Sequence, residues 1–126
     1  MKTVYIIQRV KTEPWEASEI TNLGVVYGKS RQSLIDLLNP GMEKMRSFVE
    51  RFDNRILRYE EEPAPEVWEE AIRRQELTYR AAWSKYVLQD VLPFVDPELA
   101  KSEKPWQEFY YYSTFKYSML PVPLLE

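Results

Sequence analysis

Hydrophobic and polar residues alternate near the start of the chain. Val4, Ile6 and Val10 fall on one side of an extended segment with Gln8 between them, and Tyr5 and Ile7 fall on the other. β-branched and aromatic residues with this period predict a strand over residues 4–10, apolar enough on both sides to be covered on both. Thr12, Glu13, Pro14, Trp15, Glu16, Ala17 and Ser18 then form a polar loop. A second strand is predicted over residues 20–27, where Leu23, Val25 and Tyr27 alternate. The short connection makes the pair an antiparallel hairpin.

The period changes after Gly28. Leu34, Ile35, Leu37 and Leu38 predict a helix capped by Ser30, and Asn39-Pro40-Gly41 reads as its stop. Met42, Met45, Phe48, Val49 and Phe52 recur at helical spacing and predict a second short helix. Residues 54–60 alternate in a polar manner, as an edge strand does. Pro63-Ala64-Pro65 is the clearest punctuation, and it introduces a helix predicted over residues 66–92, closed by Pro93. Trp68, Ile72, Tyr79, Trp83, Tyr86 and Val87 make one apolar stripe, and Leu77, Ala81, Leu88 and Leu92 make another. Two apolar sides imply burial on two sides. Asp96 and Pro97 predict the cap and first position of a short helix. Residues 109–117 fit both periods, and β-propensity favours a strand. The segment 119–125, broken by Pro121 and Pro123, is expected to lack regular structure and either pack along the body or meet a partner.

These elements predict a single α+β domain: an antiparallel sheet led by a ββαβ unit (residues 1–62), packed against one long helix (63–93), with an aromatic C-terminal segment (94–126). The matching pieces Val4-Tyr5-Ile6-Ile7, Leu23-Gly24-Val25-Val26-Tyr27, the helix at Ser30 and Ile56-Leu57-Arg58-Tyr59 resemble a pattern of small uncharacterised proteins of bacteriophages and other mobile elements. The resemblance covers residues 3–60. It implies a ββαβ fold and an accessory protein that acts by binding a host protein, such as a defence nuclease, and it carries no functional residues over.

Composition narrows the chemistry. The 126 residues contain no Cys and no His. A thiol nucleophile, an imidazole base, a Cys/His zinc site and a Ser-His-Asp triad are all excluded. The expectation is a non-enzymatic binding domain without metal or cofactor. The apolar start of the chain is too short for a signal peptide, and no run approaches the roughly 20 apolar residues of a membrane span. A cytoplasmic location is therefore expected. Net charge is −3 overall, but residues 29–58 carry seven basic and four acidic side chains, and residues 59–76 carry two and seven. A mildly basic middle precedes an acidic block, an overall balance unlike that of a nucleic-acid binder.

Four groups of residues invite a functional reading. Gly28-Lys29-Ser30 falls between a strand and a helix as a phosphate loop does, but Leu23 stands where that motif needs its first Gly, so a strand end and helix cap is expected. Glu60, Glu61, Glu62, Glu66, Glu69 and Glu70 offer carboxylates for a cation or for acid–base chemistry, against the alternative of a solvated helix start. Arg73, Arg74, Arg80 and Lys85, interleaved with Tyr79, Trp83 and Tyr86, suit single-stranded nucleic acid, the second functional class considered. Trp15 and the triplet Tyr110, Tyr111 and Tyr112 are the expected partner-binding residues, with Trp83 and Tyr86 at the contact of a homodimer built from the C-terminal half of the long helix and residues 110–117.

Overall fold

A computed structural model describes residues 3–56 and 65–123. The chain is α+β, with a three-stranded antiparallel sheet and helices on one of its faces. The predicted hairpin is present as β1 (Thr3–Thr12) and β2 (Glu19–Tyr27). They pair from Val4↔Tyr27 to Lys11↔Glu19, with a register shift that leaves Leu23 as an extra residue in β2.

The third strand is not the one expected. Residues 54–56 end a helix, and residues 57–60 of the predicted strand lie outside the described residues. β3 is instead Thr114–Pro123, and it pairs with β1 from Thr3↔Pro123 to Thr12↔Thr114. The strand order is β2-β1-β3, so the hairpin is completed by the far end of the chain. The expectation that the segment from residue 119 lacks regular structure is corrected over residues 119–123, while most of the last strand of the expected ββαβ unit lies outside the described residues. Prolines survive in β3 because it is an edge strand, where one side of the backbone has no ladder to feed.

Asn39-Pro40-Gly41 does not stop the first helix. α1 runs unbroken over Ser30–Ile56 with Pro40 inside it. The reason is the stripe that continues past the proline: Ile35, Leu38, Met42, Met45 and Val49 are all essentially buried. An interior proline costs about 3 kcal/mol, and each buried Met or Val side chain returns about 1.5–3 kcal/mol. Three such residues follow Pro40, so continuing the helix wins. The flanking residues have their own uses. Asn39 donates from Nδ2 to the Tyr117 carbonyl at 2.9 Å and accepts the Tyr117 N–H at 2.8 Å. Gly41 meets the end of the next helix so closely that an added Cβ would collide with the Tyr86 carbonyl oxygen.

α2 covers Pro65–Tyr86 and stops short of the predicted end at residue 92. After Tyr86 the chain turns and enters two one-turn helices, α3 (Leu92–Val95) and α4 (Pro97–Ala100). The bend lets Val87, Leu92, Val95 and Leu99 all enter the core. Asp96 caps α4 by accepting the Leu99 N–H at 3.1 Å, with Pro97 at its first position, as the sequence predicts. A 3-10 helix (Pro105–Tyr111) replaces the first part of the strand predicted at 109–117. Its Trp106 and Phe109 both face inward, three residues apart, which is the spacing of a 3-10 turn. Tyr112 then adopts a left-handed conformation (φ 59°) that redirects the chain into β3.

The hydrophobic core joins one sheet face, α1, α2 and the 3-10 helix. Ile7, Phe115 and Tyr117 from the sheet meet Leu38, Met45, Tyr79, Trp83 and Phe109. Edge-on ring pairs knit it together: Tyr79 with Phe52 at 5.5 Å, Tyr79 with Tyr110 at 5.2 Å and Phe109 with Phe115 at 5.6 Å.

Gly41→Ala tests the contact between α1 and α2. Helix propensity alone predicts a gain of up to about 1 kcal/mol. The collision with the Tyr86 carbonyl should reverse the sign and cost about 1–3 kcal/mol. The urea midpoint measures it, and a raised midpoint would contradict the contact.

Candidate interaction surface

Strand alternation sorts the sheet into two faces. The helix-covered face has the rungs Val26–Tyr5–Pro121, Gly24–Ile7–Met119, Thr21–Arg9–Tyr117 and Glu19–Lys11–Phe115. The opposite face has the rungs Tyr27–Val4–Val122, Val25–Ile6–Leu120, Asn22–Gln8–Ser118 and Ile20–Val10–Lys116. None of the apolar residues of this second face belongs to the hydrophobic cluster. Tyr27 is 77% exposed, Ile20 63%, Val25 60% and Leu120 47%. The face is therefore a mostly apolar surface, with one amide rung where Gln8 Nε2 donates to Asn22 Oδ1 at 3.0 Å. Lys116 is its single charge. The described helices cover one side of β1; on the other, Val4 is buried and Ile6 and Val10 are half-buried between their exposed neighbours.

Trp15 occupies the β1–β2 loop, at the end of the sheet that carries the Ile20–Val10–Lys116 rung, and it is 95% exposed. An indole held in water in a folded chain is available to a partner. The loop base is anchored. Lys11 donates to Glu108 at 2.8 Å and lies 3.4 Å from Glu13, while the Ser113 hydroxyl reaches Glu13. The bond to Glu108 holds the Lys11 ammonium above its ordinary pKa despite partial burial.

The other predicted site residues are scattered. Trp83 is 2% exposed, with its ring 6.0 Å from Phe109, so it is core. Tyr86 is half-buried against Phe48, and Tyr110 is half-buried against Tyr79. Tyr111 is exposed and Tyr112 borders on it, both at the turn into β3 rather than in a strand. The patch expected to form a homodimer thus largely closes on itself within one chain.

The basic set separates as well. Arg73 and Arg74 both pair with Glu70, Arg80 lies over the Trp106 ring at 5.8 Å, and Lys85 lies over Tyr86 at 5.3 Å. Of the glutamates, Glu66 and Glu69 are exposed on the first turns of α2, and Glu60, Glu61 and Glu62 lie outside the described residues. Among the described residues no group of three acidic side chains converges as a metal site would require. No helix there is long and apolar enough to cross a membrane. Gly28 has φ 76°, the left-handed turn that joins β2 to α1, in keeping with a strand end rather than a phosphate loop.

Beneath the sheet lies a buried network that no local pattern of residues signals. The Asp96 carboxylate is fully buried. Its Oδ2 accepts from Arg9 Nη1 at 2.8 Å and from the Tyr117 hydroxyl at 2.8 Å, and its Oδ1 accepts the Leu99 N–H. Arg9 also lies over the Phe115 ring at 5.7 Å and within 3.8 Å of Glu98. Burial is the largest single influence on the Arg9 charge and works against it, but the Asp96 hydrogen bond and charge, with Tyr117 and Glu98, together outweigh it and hold the group above its ordinary value. Burial first, and then the Asp96 charge, push the Tyr117 phenol far above the ordinary tyrosine range. The network ties β1 and β3 to the start of α4 and so favours their observed register.

No protein-family model matches the chain, and neither a curated protein nor a solved structure matches it.

The Tyr117–Asp96 bond has a pH signature. An unfolded tyrosine ionises near pH 10, whereas the folded Tyr117 keeps its proton well beyond that. Above pH 10 the unfolded chain therefore holds fewer protons than the native one. The stability this bond confers is complete below about pH 10 and is lost as pH rises further. Tyr117→Phe should cost about 1.5–3 kcal/mol at pH 7, as for a hydrogen bond to a charged group. It should also flatten the alkaline loss of stability, read by urea unfolding at pH 8, 10 and 11. An equal slope in both proteins would show that Tyr117 does not contribute to it.

Proposed function

We propose that this chain is a non-enzymatic protein-binding domain that takes its partner on the open face of its sheet. The observation that supports the reading is the exposure of Tyr27, Val25 and Leu120 on two adjacent apolar rungs of the sheet, flanking buried Val4 and half-buried Ile6. Contiguous apolar surface of this kind marks interaction sites. Trp15 at one end supplies an aromatic anchor, and Lys116 supplies the charge that would fix orientation. The complementary partner is apolar over two rungs and acidic near Lys116. The absence of Cys and His supports a binding role over catalysis. The resemblance of residues 3–60 to small phage and mobile-element proteins supports an accessory role in the cytoplasm, in which the domain inhibits or modulates a host protein. That β3 comes from the C-terminus departs from the pattern the resemblance implies. The nucleic-acid reading finds less support, because Arg73, Arg74, Arg80 and Lys85 lie apart from the open face and engage Glu70, Trp106 and Tyr86.

Affinity capture from a host lysate, read by mass spectrometry against variants, tests the proposal. Leu120→Lys places a charge in the middle of the apolar rungs, and Trp15→Ala removes the anchor. Each should weaken capture of the same protein at least about tenfold, the scale of a central interface residue. Arg73→Ala, on the exposed side of α2, should leave it unchanged. Capture indifferent to Leu120→Lys and lost with Arg73→Ala would reject this face.

A further inference from the structure

The two outer strands of the sheet are finished differently. The Asn39 side chain bonds both the N–H and the C=O of Tyr117, so these two groups point away from β1. Alternation along β3 then places Phe115, Met119, Pro121 and Pro123 outward as well. Three of these five outward positions are blocked. Asn39 occupies Tyr117, and Pro121 and Pro123 have no N–H to offer. These are the devices by which proteins protect a sheet edge from further pairing.

The same alternation reads across the sheet. If Tyr117 points away from β1, then Val4, Ile6, Gln8 and Val10 bond toward β3, and Tyr5, Ile7, Arg9 and Lys11 bond toward β2. In β2 the partners Val26, Gly24, Thr21 and Glu19 face β1, which leaves the backbone groups of Val25 and Tyr27 facing out. Among the described residues nothing bonds them. The stretch Ile20-Thr21-Asn22-Leu23-Gly24-Val25-Val26-Tyr27-Gly28 contains no charge and no proline. It is rich in β-formers, and apart from the extra residue Leu23 it carries none of the devices that close β3, so over residues 25–27 it is an edge of the sort that pairs with other strands.

We propose that two copies of this chain join edge to edge along β2, antiparallel, about a two-fold axis at Val26. The register follows from the outward groups. With Val26 opposite Val26 of the second copy, each Val25 stands opposite the other copy's Tyr27. The N–H and C=O of both residues are then used, giving four backbone hydrogen bonds. Centring on Val25 or on Tyr27 would pair only one of these residues with itself and send the other beyond its partner, to the extra residue Leu23 or past the turn at Gly28. Valine opposite tyrosine is a favourable cross-strand pair on the open face. The uncharged stretch of residues 20–28 presents no like charges to itself, which a two-fold pairing of identical strands requires. The product is a continuous six-stranded sheet whose two open faces merge on one side. The dimer stands on the strand edge and not on the partner-binding reading of the open face.

Multi-angle light scattering across a concentration series is the first test. The wild-type chain should approach twice 15.1 kDa. Val25→Pro removes one outward N–H while leaving the bonds to β1, copying the device already used in β3, and should return the mass to 15.1 kDa. Val25→Lys, which charges the edge without touching the backbone, should weaken association at least about tenfold and decides the matter if the proline variant does not fold. Leu120→Lys, which disables the open face, should leave the dimer intact and so separates this proposal from the binding reading. The register has its own readout, because the chain has no cysteine. Val26→Cys should form an intermolecular disulfide under mild oxidation, since directly opposed positions in a non-hydrogen-bonded pair lie about 4.5 Å apart. Val25→Cys should not. A wild-type mass of 15.1 kDa at all concentrations, a dimer that survives both Val25 variants, or faster cross-linking at Val25 than at Val26 would overturn the proposal.

Discussion

A single buried carboxylate ties together parts of the chain that share little else. Asp96 lies 87 residues from Arg9 and 21 from Tyr117, and it bonds both while also capping α4. A charge with no exposure to water is tolerated only if its lone pairs are used, and here all three contacts are hydrogen bonds. Removing one partner would strand an ion in the core, so the arrangement is demanding. Arg9 and Tyr117 are direct cross-strand neighbours, and both sit on the rung that must turn inward for the sheet to pack. The carboxylate therefore acts as a register pin. Slipping β3 by one residue would turn Tyr117 toward the open face and leave Asp96 with an unshared arginine.

The Asn39 amide plays the matching part on the outer side of β3. It satisfies one backbone position as a neighbouring strand would, from within a helix. Its place beside Pro40 and Gly41 is economical. Pro40 is carried because the buried stripe of α1 outweighs its cost, and Gly41 admits the carbonyl of Tyr86. Three residues that normally end a helix here connect it to the sheet on one side and to α2 on the other.

This explains why some elements were legible in the sequence and others were not. The hairpin could be read because its alternation and its loop are local. The Asp96-Pro97 cap and the onset of α2 after Pro63-Ala64-Pro65 could be read for the same reason. The continuity of α1 could not, since local signals at residues 39–41 favour a stop and the burial of Met42, Met45 and Val49 that overrides them is tertiary. β3 was hidden by its prolines, which argue against a strand unless the strand is known to be an edge. Trp15 could be identified from its polar neighbours. Trp83 could not be placed, because a stripe shared with Tyr79 and Tyr86 looks the same whether it faces a core or a partner. The open face was missed because its exposed side chains, Ile20, Val25, Tyr27 and Leu120, alternate as buried ones do, and only the third strand's position shows that the described helices all lie on the other side.

The surface that remains is shaped by what protects it and what does not. Edge protection on β3 costs the chain two prolines and a half-buried asparagine, each a departure from what strand or helix propensity favours. β2 carries no such modification over nine residues beyond the extra Leu23, which loosens the ladder at that point but leaves Val25 and Tyr27 extended. The same residues hold the most exposed side chains of the open face. Backbone groups and apolar side chains are thus presented together, at one margin, by one short strand. A surface that was merely tolerated would need neither coincidence. The asymmetry between the two edges is therefore the physical basis of the proposed pairing along β2.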